Sequence, residues 1–304
     1  MAVALAVMVA VLVAVDIAGG ALLRHAYARS TANPIYRPLA AGTTTLVLGS
    51  STAKRGFDPA TLWPGSYNAA EDGQGIFFVA GYMRNMPATS GIKRVIIGID
   101  PDEILSGYRS TNTRNLKRLA PLAVADTKLR EQLRLADPLV EVKYWSGLYP
   151  FRGDVAGVLL EWLAPRTRGT GYAPLPRSMG EVPPRVPSTA APPPPSAEGL
   201  DALHDTVAGA RLRNIHLIAA VTPIAGGYRR DRDPYYAAAM APARRILAEG
   251  GACDLTAVSD ADIDAIARDG ALFHDAAHLN GAGARRYTSA IRRLVEQHCP
   301  AMAN

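Results

Sequence analysis

The first 23 residues, MAVALAVMVAVLVAVDIAGGALL, carry a single charged side chain, Asp16, and beyond them short β-branched apolar runs alternate with stretches of helical periodicity. A helix of ~20 apolar residues matches the hydrocarbon thickness of a bilayer. Residues 2–23 are therefore expected to form a transmembrane anchor, with membrane lipid as its partner, and residues 24–42 a polar, proline-containing tether. A buried core helix is the alternative for the apolar run. A cleaved signal peptide is another, because Ala26-Tyr27-Ala28 has the small-x-small form, although no basic residue precedes the run. The runs 43–48 (TTTLVL), 94–99 (RVIIGI) and 215–221 (IHLIAAV) are continuous rather than alternating, as expected of parallel strands covered on both faces. Helical patterns over 75–85, 235–249 and 281–297 separate and follow them. This alternation predicts an α/β fold, a three-layer doubly wound parallel sheet, built from residues 43–304.

Residues 101–200 break the rhythm and read as an insertion over the carboxyl edge of the sheet. It has helix-like stretches over 116–135 and 154–163, then the segment APLPRSMGEVPPRVPSTAAPPPPS, whose prolines remove backbone donors and forbid a regular element. A mobile loop is expected there, serving either as a spacer or as a lid or docking segment.

Composition narrows the function. With 48% hydrophobic residues the chain can bury a large core, and its formal charge of +6 favours anionic surfaces such as headgroups or acidic polysaccharide. Aromatic residues make up only 7% and do not interleave with basic runs, which excludes a nucleic-acid reader. Cys253 and Cys299, the two cysteines, could pair in an oxidising compartment or stay as buried thiols. The histidines show no ligand spacing, so no metal or cofactor is expected.

Two segments carry candidate chemistry. Leu48-Gly49-Ser50-Ser51-Thr52 lies where the first strand ends, a place that can present a serine Oγ at the carboxyl edge of the sheet. By itself it also fits an ordinary helix cap. In Phe273-His274-Asp275-Ala276-Ala277-His278-Leu279-Asn280, Asp275 and His278 stand three apart, a spacing that lets a carboxylate orient an imidazole. Alone, Asp275 would be a cap and His278 a surface residue.

Taken together, these segments resemble the SGNH, or GDSL-like, hydrolases. Gly49-Ser50-Ser51 is similar to their first block, with Ser50 where Asp is usual; Asn68-Ala69-Ala70-Glu71-Asp72-Gly73 to the second; and Asp275-Ala276-Ala277-His278-Leu279-Asn280 to the last. The resemblance covers roughly residues 43–100 and 211–297. It implies Ser51 as nucleophile, His278 and Asp275 as its relay, and the N–H groups of Gly73 and Ser51 as oxyanion donors, with Asn68 and Asp100 near the substrate. Asp100 departs from the pattern, since the third block supplies an Asn donor there and an ionised Asp only accepts.

The anchor, Arg55-Gly56-Phe57-Asp58-Pro59 and Thr222-Pro223 look like the membrane-anchored envelope members of alginate acetylation and D-alanyl transfer. That resemblance implies an acyl-ester hydrolase or O-acyltransferase acting on a cell-envelope or exported glycan, single-pass and extracytoplasmic, beside a membrane-bound O-acyltransferase. The alternative is a catalytically impaired scaffold of such a complex.

Overall fold

The computed structural model describes residues 1–106, 111–163, 169–182, 194–226 and 234–302. In chain order these form α1 (Ala2–Tyr27), α2 (Tyr36–Ala40), β1 (Thr45–Gly49), α3 (Ser51–Gly56), β2 (Ser66–Asn68) and α4 (Ile76–Asn85). Next come β3 (Arg94–Gly98), α5 (Pro101–Ser106), α6 (Thr127–Ala136), α7 (Val140–Lys143) and α8 (Val155–Leu163). The chain continues through α9 (Ala197–Arg211), β4 (His216–Ala220), α10 (Pro234–Glu249), β5 (Cys253–Asp254), α11 (Ala261–Arg268) and α12 (Gly281–His298). Two compact units result, one of residues 1–41 with 116–167 and the other of 42–115 with 168–304.

In the first unit, α1 is long and apolar enough to cross a membrane, and the apolar side chains along it are exposed. It runs four residues past the expected end at 23. Arg24 and His25 suit the negative end of a helix, and the Tyr27 ring packs edge-on against Phe151 at 5.7 Å. The residues expected to be a tether are ordered: Ser30 Oγ and the Thr31 N–H donate to the Glu161 carboxylate at 2.6 and 2.7 Å. The expected helix over 116–135 is split. Pro121 lies in a 3₁₀ stretch, Thr111–Val124, and Asp126 then caps α6 by accepting from the Leu129 N–H.

The second unit is built on a five-stranded parallel sheet in the order β2-β1-β3-β4-β5. Val47, Ile96 and Ile218 bury one face beneath Phe57, Tyr287, Ile291 and Leu294 of α3 and α12 and their flanks. Helices α4 and α9 pack on each other, and Gly209 lets α9 come close to Met83. The two edge strands were not foreseen, being too short at three and two residues to carry a pattern. Cys253 and Cys299 form a disulfide that ties β5 to the end of α12. With a sequence separation of 46, the crosslink is worth roughly 4 kcal/mol in chain-entropy terms.

The described part of the proline-rich segment is hydrogen-bonded to the rest of the second unit. Its carbonyls, which prolines do not remove, are used as acceptors: Leu175 accepts from the Gly281 N–H at 3.1 Å and Ala173 from Arg55 at 2.6 Å. Met179, with an N–H to offer, donates to the Phe273 carbonyl at 2.7 Å. The remainder, residues 183–193, lies outside the described residues.

Asp260 caps α11 by accepting from the N–H groups of Asp262 and Ile263, and it pairs with Arg293 of α12 at 2.8 Å. Burial pushes its carboxyl up, but Arg293 and the two N–H bonds outweigh burial and hold it below the usual carboxylate range. A depressed folded pKa means that the unfolded chain binds the proton more readily. The contribution is therefore present above pH ~4 and lost as pH falls through the folded value. Asp260→Asn is expected to lower stability at pH 7 by about 1 kcal/mol, with the gap closing below pH ~4. Urea unfolding at pH 7 and pH 3 measures both.

Candidate active site

Ser51 is the first residue of α3, directly after β1, and β1 lies between β2 and β3 where the strand order turns back on itself. In open parallel sheets the crevice outside such strand ends is where ligands bind. Close approach of α3 to the strand ends requires small residues. Gly49 has φ +140°, and a Cβ there would lie 2.8 Å from both Ala53 Cβ and the Gly98 carbonyl oxygen. On Gly98 it would lie 2.5 Å from Ala53 Cβ. The glycines therefore set the position of the serine, and not only the end of the strand.

The other half of the site is a turn closed by the bridge between Phe273 and Leu279, inside which the His274 N–H donates to the His278 carbonyl at 2.8 Å. Asp275 Oδ1 accepts from the N–H groups of Ala277 and His278, each at 2.9 Å, so the carboxylate organises the turn that carries it. Asn280 then caps α12 by accepting from Ala282 and Gly283, and its own amide donates to the Ala271 carbonyl. Helix α12 is held to the rest of the unit by Tyr287, which donates to the Val221 carbonyl, and by Thr288 Oγ1, which donates to the Gly56 carbonyl and accepts from the Asp58 N–H. The Leu175 and Met179 bonds bracket the same turn from outside.

These supports bring the two halves together across 227 positions. Ser51 Oγ lies 2.8 Å from His278 Nε2, and His278 Nδ1 lies 2.9 Å from both oxygens of Asp275. An ionised carboxylate only accepts, so Nδ1 carries the ring proton, Nε2 is the acceptor and the serine hydroxyl donates to it. Burial acts to raise the Asp275 pKa, but the His278 ring, the two N–H bonds and the imidazole charge prevail and hold it below the usual range. Asp275 thus stays ionised at neutral pH. The side chains are accessible, at 25% for His278 and 50% for Asp275, so an external molecule can reach them.

The remaining expected residues are placed less uniformly. Gly73 has φ +70°, a left-handed conformation that suits glycine, in a loop held beside β1 by the Glu71 N–H donating to the Gly49 carbonyl at 3.1 Å. Asn68, at the end of β2, acts as a clamp on α3. It is 1% exposed, its amide N–H groups serve the carbonyls of Ala53, Lys54 and Phe57, and its Oδ1 accepts from the Ala70 N–H. Both amide hydrogens are thereby used within the protein. Asp100 stands at the carboxyl end of β3, its Oδ1 accepting from the Asp102 N–H at 3.1 Å, and it shares a shallow cleft with Thr52 and Thr222.

Sequence reasoning missed two side chains here. Gln74, next to Gly73, is 1% exposed with neither amide atom hydrogen-bonded, and the buried Thr222 Oγ1 is likewise without a partner among the described residues. Leaving such groups unpaired costs about 1–3 kcal/mol each. Only the tertiary burial distinguishes them from ordinary loop residues. Nearby, Lys54 pairs with Glu71 and Asp72, and Arg55 with Asp72, so the charges following Ser51 are locally balanced.

No protein-family model matches this chain, and no curated protein matches it.

Proposed function

We propose that this protein is a serine-dependent acyl-ester hydrolase or O-acyltransferase of the SGNH type, held at a membrane by α1 and acting on a cell-envelope or exported polysaccharide on the extracytoplasmic side. The observation that carries the reading is the continuous hydrogen-bonded relay from Ser51 through His278 to Asp275 at the carboxyl edge of the sheet. His278 takes the serine proton as Oγ attacks an acyl carbonyl, Asp275 stabilises the imidazolium, and the N–H groups of Gly73 and Ser51 serve the oxyanion. The acyl group passes to Ser51 and the proton to the leaving group. Water or a sugar hydroxyl then takes the acyl group and restores the serine.

Other features agree with this reading. The strand order β2-β1-β3-β4-β5 agrees with that of flavodoxin-like sheets, and Ser51 follows β1, beside which that order turns back. The Cys253–Cys299 disulfide fits an oxidising compartment, as an extracytoplasmic domain would meet. A formal charge of +6 favours a polyanionic glycan. A membrane-bound O-acyltransferase is the natural acyl source for the transfer reaction.

One observation favours a second reading. Asp100 stands where this chemistry calls for a neutral donor, as expected of a scaffold subunit whose hydrolase machinery has eroded. A serine-directed fluorophosphonate separates the two. The full chain is expected to gain one adduct, located on Ser51 by peptide mass spectrometry and absent from Ser51→Ala. A wild-type chain that stays unlabelled would support the scaffold.

A further inference from the structure

Within the first unit, the carboxylate of Asp16 accepts from Ser146 Oγ at 2.6 Å, from the Gly147 N–H at 2.7 Å and from the Leu148 N–H at 3.3 Å. Glycines make this approach feasible: a Cβ on Gly20 would lie 2.5 Å from the Gly147 carbonyl carbon, and one on Gly147 would lie 2.8 Å from the Asp16 carbonyl oxygen. Asp16 is followed on α1 by exposed Ile17 and Leu22, and the first cation towards the carboxyl end of the helix is Arg24. If Arg24 marks the edge of the hydrocarbon, Asp16, eight positions earlier, lies on the hydrocarbon side of it, at most ~12 Å in for an upright helix and less for a tilted one. The loop it holds must lie at that depth too.

The loop is built as a lipid environment demands. Trp145 and Ser146 donate their N–H groups to the carbonyls of Val142 and Lys143; Gly147 and Leu148 donate to Asp16; Tyr149 donates to Ser146 Oγ; Phe151 and Arg152 donate to Leu148 and Tyr149. Every backbone N–H from Trp145 to Arg152 therefore has an acceptor within this unit, Pro150 having none to offer. Three large apolar side chains point outward, Trp145 at 84% exposed, Leu139 at 60% and Val142 at 54%, and the one exposed carboxylate among them, Glu141, lies 3.8 Å from Arg130. Tyr149 is flanked by Arg152 at 3.9 Å and Lys143 at 5.8 Å, the pairing of aromatic rings with long cations found at the bilayer interface.

We propose that residues 139–151 form a re-entrant foot seated in the lipid leaflet at the carboxyl end of α1, so that the protein is held by two elements and the foot's apolar side chains are covered by acyl chains. The inference rests on reading α1 as a membrane span. Asp16 is then the acceptor that allows the foot's backbone to enter the hydrocarbon, and not a stray charge in an anchor.

The native cysteines are paired, so a single added cysteine can carry an environment-sensitive fluorophore. Val142→Cys and Trp145→Cys test the foot, Leu12→Cys reports α1, and Leu212→Cys, on a residue 81% exposed in the second unit, is the aqueous control. The labelled full chains are reconstituted in phosphatidylcholine–phosphatidylglycerol vesicles doped with nitroxide lipids. Quenching of the foot labels by about half with nitroxides near the glycerol end of the acyl chain is expected, with little effect of iodide. Leu12 should respond to deep nitroxides and Leu212 to iodide alone. If Leu12 is quenched but the foot labels behave like Leu212, the foot is wrong and the anchor stands. If Leu12 is not quenched by lipid nitroxides, both fall. Foot labels shielded from iodide yet untouched by any nitroxide lipid would mean that a second copy of the chain covers them, which also overturns the lipid seat.

Discussion

Asp275→Asn is expected to cut ester turnover by roughly 10³- to 10⁴-fold while leaving the protein folded. The carboxylate accepts from His278 Nδ1 at 2.9 Å through both oxygens and also closes the turn through the Ala277 and His278 N–H groups. An asparagine keeps an oxygen for the turn but can present an N–H₂ to Nδ1. The imidazole proton would then sit on Nε2, facing Ser51, where no base remains to take the hydroxyl proton. Because the Asp275 pKa is depressed, the wild-type carboxylate stays ionised well below neutral pH. The rate deficit of the variant should therefore persist across pH 5–8 and not appear only on one side of it. The check is kcat on an activated acetyl ester for the two purified full chains, with circular dichroism to establish folding. A variant within threefold of wild type would mean that the relay is not in use.

Asp100→Asn is expected to do the opposite and raise turnover by about 10- to 100-fold, since one oxyanion-hole donor is typically worth 10²–10³ in rate. Asp100 Oδ1 already accepts from the Asp102 N–H, a bond that an asparagine oxygen can keep. The N–H₂ then becomes a donor at the carboxyl end of β3, and an acceptor-only carboxylate is removed from beside the developing negative charge. The same assay serves, with Ser51→Ala/Asp100→Asn as the control that any gain passes through the serine. If wild type, Asp100→Asn and the control turn over alike, the scaffold reading is the better one.

The two variants test features with different origins. The Asp275–His278 pair was legible in the sequence because its geometry is local: a carboxylate reaches the N–H groups two and three residues on, and this holds wherever the turn is placed. Asp100 was legible as an oddity for the same kind of reason, since its position follows from the end of the strand before it. The clamp role of Asn68 was not legible, because a sequence resemblance carries no information about its amide, and the three carbonyls that use the amide come from α3 and the residue after it.

By itself, the sequence determined what depends on periodicity and near neighbours: an apolar helix, three continuous central strands, the helices that follow them and a capped turn bearing a carboxylate and an imidazole. Only the tertiary structure decided which distant groups meet. Ser51 reaches His278 across 227 positions, Asp16 reaches Ser146 across 130, Cys253 pairs with Cys299, and the described proline-rich residues lie along the turn that carries Asp275 and His278. The physical reason is one of range. A hydrogen bond within a turn is set by a few dihedral angles, whereas a contact across a hundred residues exists only once the register of the sheet and the packing of its helices have fixed both ends.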